Sequence, residues 1–303
     1  MQNLRFGIHV DKFLPKRPLE ESIEKTIKDF GFNSIQVFTH NPRSGAETKI
    51  NYENVKAVTE KRLVFVHSSY NSVSVWKVKN SNKDSEESKK ILNSFEEQLK
   101  STVKIRGKCL VLHISKRRPE EVAETMAILK PIAIKHQATI GIEMVASHGD
   151  DKTYETPQKI NYLLSLLGDP VHSKNNSGER SWYSWYGLVV DTAHIWAAGV
   201  DIREKKSMDK WLSEIKPEYV SLFHLNGSYN NLSSGKDKHA VPFAKEDKIW
   251  GNIKPENSGL TSIIQYCCRY KIPAIMETKK YEECYDDILN VYNIVIDIAK
   301  SLT

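Results

Sequence analysis

Eight short apolar runs, each followed by a longer amphipathic stretch, constrain this 303-residue chain more than any other feature. They are "RFGIHV" (5–10), "SIQVFT" (34–39), "RLVFVHS" (62–68), "CLVLHIS" (109–115), "TIGIEMV" (139–145), "GLVVDT" (187–192), "YVSLFHL" (219–225) and "IPAIMET" (272–278). Each is nearly all apolar rather than alternating, the pattern of parallel strands covered on both faces. Helical periodicity fills 19–30, 51–61, 85–106, 118–136, 156–167, 203–214 and 257–270, and returns over 284–300 after the last run. Eight such units predict an α/β fold, a (β/α)8 TIM barrel forming one domain over residues 1–303. A doubly wound sheet is the fallback, but no G-x-G-x-x-G follows the first run. Two connections exceed ordinary barrel loops: a polar, aromatic-tipped insertion at 168–186 and a long loop at 226–256, beyond strand seven.

Composition narrows the class. Hydrophobic residues make up 40% of the chain and charged residues 27%, the balance of a globular protein. No apolar run approaches the roughly 20 residues of a membrane helix, and "MQNLRFGIHV" lacks the features of a signal peptide. An intracellular protein is expected, in nucleus, cytoplasm or virion according to the organism. The four cysteines show no C-x-x-C spacing, so a metal would have to use imidazole and carboxylate. A net charge of +6 permits a polyanionic partner without requiring one.

The polar residues fall where barrel enzymes keep their chemistry, at the C-terminal mouth of the strands. Strand three ends in His67 and strand four in His113; strand five carries Glu143 near its end; strand six ends in Asp191; strand seven holds His224; strand eight ends in Glu277. His194 follows strand six, and Asp237 and His239 lie in the long loop. In "GLVVDTAHIWAAGVDI" (187–202), Asp191 alone could be an ordinary helix cap and His194 a packed side chain. Six strand ends in a row weigh against that. Carboxylates converging in one mouth repel one another and are costly to desolvate unless cations join them. Five imidazoles and four carboxylates without sulfur suit Zn²⁺ or a similar divalent ion, and are too many for one tetrahedral site, so two or three ions must share them.

These residues resemble endonuclease IV, the zinc-dependent apurinic/apyrimidinic (AP) endonuclease family. The resemblance runs from "FTHNPRS" (38–44) to "PAIMET" (273–278), through "VHSSY" (66–70), "LVLHIS" (110–115), "GIEM" (141–144), "VDTAHIWAAG" (190–199), "FHLNGS" (223–228) and "GKDKHA" (235–240). Around "DTAHIWAAGVDI" and "KDKHA" it looks most like the branch found in large DNA viruses. The resemblance implies three zinc ions per chain, with Mn²⁺ able to serve at some positions. The first would be held by His67, His113 and Glu143; the second by a bridging Glu143 with Asp191, His224 and Glu277; the third by His194, Asp237 and His239. Glu143, Asp191 and Glu277 would be the catalytic carboxylates. It implies hydrolysis of the phosphodiester 5′ to an abasic sugar in double-stranded DNA, giving a 3′-hydroxyl and a 5′-deoxyribose phosphate, and allows 3′-end trimming. Asn41 and Arg43 of "NPR" (41–43) resemble a loop that enters the duplex at the lesion, and Tyr70 an aromatic that fills the gap. Lys12, Lys16, Lys116 and Arg117 are candidates to grip phosphates. Nothing calls for a membrane or an obligate protein partner, so a monomer is expected.

The chain also departs from the family. "HVDKFLPKRP" (9–18) stands in place of a Gly-rich loop, "HISKRRP" in place of a histidine followed by Pro-Gly, and "HLNG" where many members have H-L-N-D, so that Gly227 removes a carboxylate near the third group. The alternative reading is a metal-dependent TIM-barrel sugar isomerase or epimerase. It shares the expected fold but needs neither the His194, Asp237, His239 set nor an N-P-R loop.

Overall fold

A strand that is apolar on both faces needs cover on both, and a parallel sheet obtains it by closing on itself inside a shell of helices. The computed structural model describes residues 4–10, 17–114, 116–147, 153–170, 184–278 and 283–302. All eight expected strands form. Seven are β1 (Phe6–His9), β2 (Ser34–Phe38), β3 (Leu63–His67), β4 (Leu110–His113), β5 (Ile140–Glu143), β6 (Tyr186–Asp191) and β7 (Val220–His224). The long loop then folds a small antiparallel ribbon, β8 (Gly227–Ser228) on β9 (His239–Ala240), too short to leave a periodic signal. The last barrel strand is therefore β10 (Ala274–Met276). The barrel closes in the order β1-β10-β7-β6-β5-β4-β3-β2, with every pairing parallel. The expected TIM barrel is the observed fold.

The helices are α1 (Leu19–Phe30), α2 (Tyr52–Val58), α3 (Glu86–Lys104), α4 (Pro119–His136), α5 (Pro157–Leu167), α6 (Thr192–Ala197), α7 (Lys205–Ser213), α8 (Gly259–Tyr270) and α9 (Tyr285–Lys300). All but α6 lie in the expected intervals, and α6 is too brief for a 3.6-residue period to show. Ser85, Thr156 and Ser258 start α3, α5 and α8 by accepting the backbone N–H three residues on. Such caps contribute about 1 kcal/mol each.

Two apolar layers result. Outward-facing strand residues such as Ile8, Ile35, Val66, Leu110, Ile142 and Val190 pack against helix residues including Ile23, Leu99, Met126, Leu163 and Ile264. Inside the barrel a smaller cluster, Phe65, Cys109, Val111, Val189, Leu222 and Ile275, fills the floor. Each fully buried aliphatic or phenyl side chain contributes roughly 1.5–3 kcal/mol.

That floor sets up the site above it. Strand side chains return to the same face every second residue. Two positions past Phe65, Val111, Val189, Leu222 and Ile275 come His67, His113, Asp191, His224 and Glu277. Glu143 follows Gly141 in the same way; a Cβ on Gly141 would lie 2.4 Å from Cys109 Sγ, so the packed floor excludes a side chain there.

Lys12, Lys16 and residues 171–183 of the expected insertion lie outside the described residues. Among the described residues, no helix is long and apolar enough to cross a membrane.

Candidate metal centre

Every barrel strand contributes one polar side chain to a common pocket: His9 on β1, Gln36 on β2, His67 on β3, His113 on β4, Glu143 on β5, Asp191 on β6, His224 on β7, and Glu277 one residue beyond β10. Their contacts cross the barrel. His224 Nε2 donates to Gln36 Oε1 at 2.9 Å, and Gln36 Nε2 donates to Glu277 Oε1 at 2.6 Å. His194 enters from the first turn of α6, where Asp191 also caps the helix by accepting the His194 backbone N–H at 3.0 Å. Capping and site-building thus coexist in one carboxylate. Asp237 and His239 enter from the ribbon loop, completing the nine expected ligands in one place.

The side chains gather as three overlapping groups: His67, His113 and Glu143; Glu143, Asp191, His224 and Glu277; and Asp191, His194 and His239, each with ligand atoms within 4.8 Å of one another. Asp237 sits against the last group, its two oxygens 2.8 Å from His239 Nε2 and 3.3 Å from His194 Nε2. Asp191 therefore reaches two groups, 3.8 Å from His224 Nδ1 and 3.5 Å from His239 Nε2, whereas the family resemblance assigns it to one. Glu143 has Oε1 3.0 Å from His224 Nδ1 and Oε2 3.0 Å from His113 Nε2, spanning the first two groups.

The outward hydrogen bonds decide which ring nitrogens face inward bare. His67 Nδ1 donates to the Ser68 carbonyl at 2.7 Å and His194 Nδ1 to the Met144 carbonyl at 2.6 Å. A neutral imidazole that donates from one nitrogen offers a lone pair at the other. The lone pairs of His67 Nε2, His194 Nε2 and His224 Nδ1 consequently point at other acceptors; His67 Nε2 is 3.0 Å from His113 Nε2 and 3.6 Å from Glu143 Oε2. Among the buried polar atoms of the described residues that make no hydrogen bond are Glu143 Oε2, His194 Nε2 and His239 Nε2. Lone pairs facing lone pairs in a closed pocket are stable only with positive charge between them, so the donor set fits divalent cations.

Without a cation, protons must supply that charge. Burial lowers the imidazole pKa of His224, but Glu277 and Glu143 outweigh it and push it up to about 9. Burial acts likewise on His239, where Asp191 and Asp237 prevail and raise it to about 9, and Asp191 and Asp237 hold His194 well above its usual value. Burial disfavours the charged carboxylates too, yet His113 and His224 keep Glu143 well below the usual range, as His194 and His239 do for Asp237 and His224 for Glu277.

Four partners were not anticipated. His9 Nδ1 stands 3.3 Å from Glu277 Oε1 and 2.9 Å from Gln36 Nε2. Asn226 Nδ2 donates to Asp191 Oδ2 at 2.7 Å, and its Oδ1 accepts the Glu277 backbone N–H at 2.8 Å. Thr192 Oγ1 donates to the Asn226 carbonyl at 2.6 Å. Gln36 was detectable as the one long polar residue inside the run Ser34–Phe38, and His9 as another strand-end histidine.

A cavity of about 80 Å³ opens over this ring, walled by Phe38, Tyr70 and Thr278 besides His9, His67, His113, Asp237, His239 and Glu277. A larger groove of about 930 Å³ lies at the opposite end of the barrel, among Leu212, Tyr266 and Arg269. Size therefore does not mark the site. Tyr70, half exposed, stands at the rim with its ring centroid 6.0 Å from that of His67. Beside it the exposed loop of Asn41 and Arg43 is folded by Asn41 Oδ1, which accepts the backbone N–H of Arg43 at 3.0 Å and of Ser44 at 2.9 Å. Asn41 thus shapes the loop, and Arg43 projects from it. Lys116 is exposed beyond β4, and Arg117 is half-buried, its carbonyl accepting Tyr154 Oη–H at 2.7 Å.

A barrel with acid and imidazole ligands at its mouth defines a class shared by metal-dependent isomerases and nucleases. The chain belongs to the xylose isomerase-like TIM barrel family, whose model matches residues 25–250. Within that family it resembles the "Probable AP endonuclease" of African swine fever virus (isolate Tick/Malawi/Lil 20-1/1983), with 30% identity over 263 residues, 82% of this chain and 79% of the relative. Two solved structures share the fold. A crystal structure of AsfvAP:AG superposes with a TM-score of 0.77 at 24% identity, covering 98% of this chain and 99% of the other. Endonuclease IV from Thermus thermophilus gives 0.70 at 22% identity, covering 97% and 99%.

Proposed function

We propose that this chain is an AP endonuclease of the endonuclease IV kind, one domain over residues 1–303 that hydrolyses the phosphodiester 5′ to an abasic sugar in double-stranded DNA. The products are a 3′-hydroxyl and a 5′-deoxyribose phosphate; blocked 3′ ends are substrates for the same hydrolysis. The observation that carries this reading is the convergence of five imidazoles and four carboxylates in three groups joined by Glu143 and Asp191. A sugar isomerase has no use for the group of His194, Asp237 and His239, nor for Arg43 and Tyr70 at the rim. The relationship to a viral AP endonuclease across four-fifths of the chain supports the same choice.

Zn²⁺ is the ion that these donors suit. His67, His113 and Glu143 would hold one; Glu143, Asp191, His224 and Glu277 a second; His194, Asp237 and His239, with Asp191 in reach, a third. Bound there, such ions make water nucleophilic near neutral pH and stabilise charge on phosphoryl oxygens. The chain's own residues arrange the rest. The Ser68 and Met144 carbonyls fix the rings of His67 and His194, and Gln36 fixes that of His224. Glu143 holds two groups at one separation through its two oxygens. Arg43 and Tyr70 fill the space that a missing base leaves, and Lys116 and Arg117 bind phosphates, with Lys12 and Lys16 as further candidates from the sequence. An abasic nucleotide forfeits little pairing or stacking on leaving the helix, so selection costs least at the lesion.

The test is incision of a duplex carrying a tetrahydrofuran abasic analogue, with the ends of the nick mapped. Wild type is expected to cut 5′ to the analogue and leave a 3′-hydroxyl, and Glu143→Ala to leave the duplex intact. Wild type that ignores the analogue but interconverts an aldose and a ketose overturns the reading.

A further inference from the structure

Gly227 occupies the position where the family resemblance leads one to expect a carboxylate. Its backbone is not in the left-handed region, so conformation does not call for glycine. Space does. A Cβ at 227 would lie 2.6 Å from Asp247 Cγ and 2.7 and 2.9 Å from the two carboxylate oxygens. Asp247 is 2% exposed and comes from the far end of the long loop, twenty residues on. Both of its oxygens are engaged: Oδ1 accepts the backbone N–H of Ser228 at 3.0 Å and of Ile249 at 2.8 Å, and Oδ2 that of Phe243 at 3.0 Å and of Trp250 at 3.1 Å.

These bonds lead to the third ligand group. Ser228 belongs to β8 and pairs with His239 in β9, and the Lys248 backbone N–H donates to the Ser228 carbonyl at 2.7 Å. One residue before the glycine, Asn226 bonds Asp191, and the Tyr229 N–H closes the ribbon on the Lys238 carbonyl at 3.1 Å. Asp247 therefore staples the turn at 243–250 to β8, and β8 sets the register of the strand that carries His239, with Asp237 two residues before it.

We propose that Asp247 is a positioning residue for the cation held by His194, Asp237 and His239, supplying from position 247 the buried carboxylate that Gly227 lacks. The inference rests on the metal-endonuclease reading only in calling that group a cation site. Four backbone donors on two oxygens need a full carboxylate. An amide of the same shape turns an N–H₂ toward two of them and leaves those donors unsatisfied. An aspartate at 227 would lay its carboxyl in the volume that Asp247's carboxyl fills, so exchanging the two residues should preserve the staple.

The experiment counts ions per chain on full-length protein loaded with Zn²⁺ and freed of excess by gel filtration, with abasic-site incision measured alongside. Asp247→Asn is expected to hold one ion fewer than wild type and to nick at least about tenfold more slowly, the usual scale for losing a ligand's support. Asp247→Gly should be equally depleted, and the exchange Gly227→Asp with Asp247→Gly should recover the wild-type ion count and most of the rate. Asp247→Asn with the full ion count, or an exchange variant no better than Asp247→Gly alone, overturns the proposal. If Asp247→Asn does not fold, the comparison of exchange variant with Asp247→Gly decides by the same criterion. Wild type that holds its ions yet fails to nick would overturn the endonuclease reading alone, since the ion counts still judge Asp247.

Discussion

The backbone N–H of Tyr70 donates to the carbonyl of Pro42 at 2.8 Å, tying the exposed ring at the rim of the cavity to the loop that carries Arg43. On the proposed function, parts joined in this way would act on a lesion together. Arg43→Ala and Tyr70→Ala should each lower kcat/KM for an abasic duplex by roughly tenfold, and the double variant by less than the product. A coupling of about 1 kcal/mol is expected for residues sharing one support. Strict additivity in a double-mutant cycle would show two independent contacts.

Gln36 is positioned to matter without touching substrate. It links His224, Glu277 and His9 across the barrel, fixing the ring of His224 and the carboxylate of Glu277. Gln36→Leu keeps most of the volume and removes all three bonds. Losses of about 10–100-fold in zinc affinity or incision rate are typical for such partners, and competition with a chromophoric chelator measures the former. An unchanged affinity would reduce Gln36 to packing.

The metal-stripped protein should respond to pH in a defined direction. His224 and His239, pushed up to about 9 in the folded chain, have an unfolded value of about 6.5. The folded state binds their protons more tightly, so that stabilisation is complete below pH 6.5 and disappears as pH rises through about 9. Glu143, Asp237 and Glu277, held low, act in the opposite sense; what they contribute is present above the ordinary carboxylate range and fades in acid. The Tm of chelator-treated protein is therefore expected to peak between about pH 4.5 and 6.5 and to fall toward pH 9. Zinc-loaded protein should keep its Tm across that rise, because cations replace the protons. A stripped protein whose Tm climbs from pH 6.5 to 9 would contradict the arrangement of these ligands.

Salt should separate grip from recognition. Removing one phosphate-binding cation reduces the slope of log K against log salt by about 0.9 for duplex DNA. Lys116→Ala, an exposed change beyond β4, should weaken abasic and intact duplex binding alike and flatten that slope by about 1. Arg43→Ala should instead erode the preference for the abasic duplex. Titrations at several salt concentrations on both duplexes distinguish the two.

Most of the barrel and the ring of polar side chains at its mouth was legible because both depend on local periodicity. Near-continuous apolar runs declare buried parallel strands, and a two-residue repeat puts His67, His113, Glu143, Asp191, His224 and Glu277 on one face at one end. Short elements were not legible. The ribbon of Gly227–Ser228 and His239–Ala240 and the six-residue helix Thr192–Ala197 are too brief to carry a period.

By itself the sequence determined the eight barrel strands, the longer helices around them, and which residue types would meet at the mouth, since each follows from the side chains within a few positions. Only the tertiary structure decided how those groups share one another: that Gln36 reaches across the barrel to His224 and Glu277, that Asp191 serves two groups, and that Asp247 occupies the space beside Gly227. The physical reason is that such partners are set by barrel closure and loop packing, which bring together residues as far apart as His9 and Glu277, 268 positions along the chain. No local pattern encodes a contact of that range.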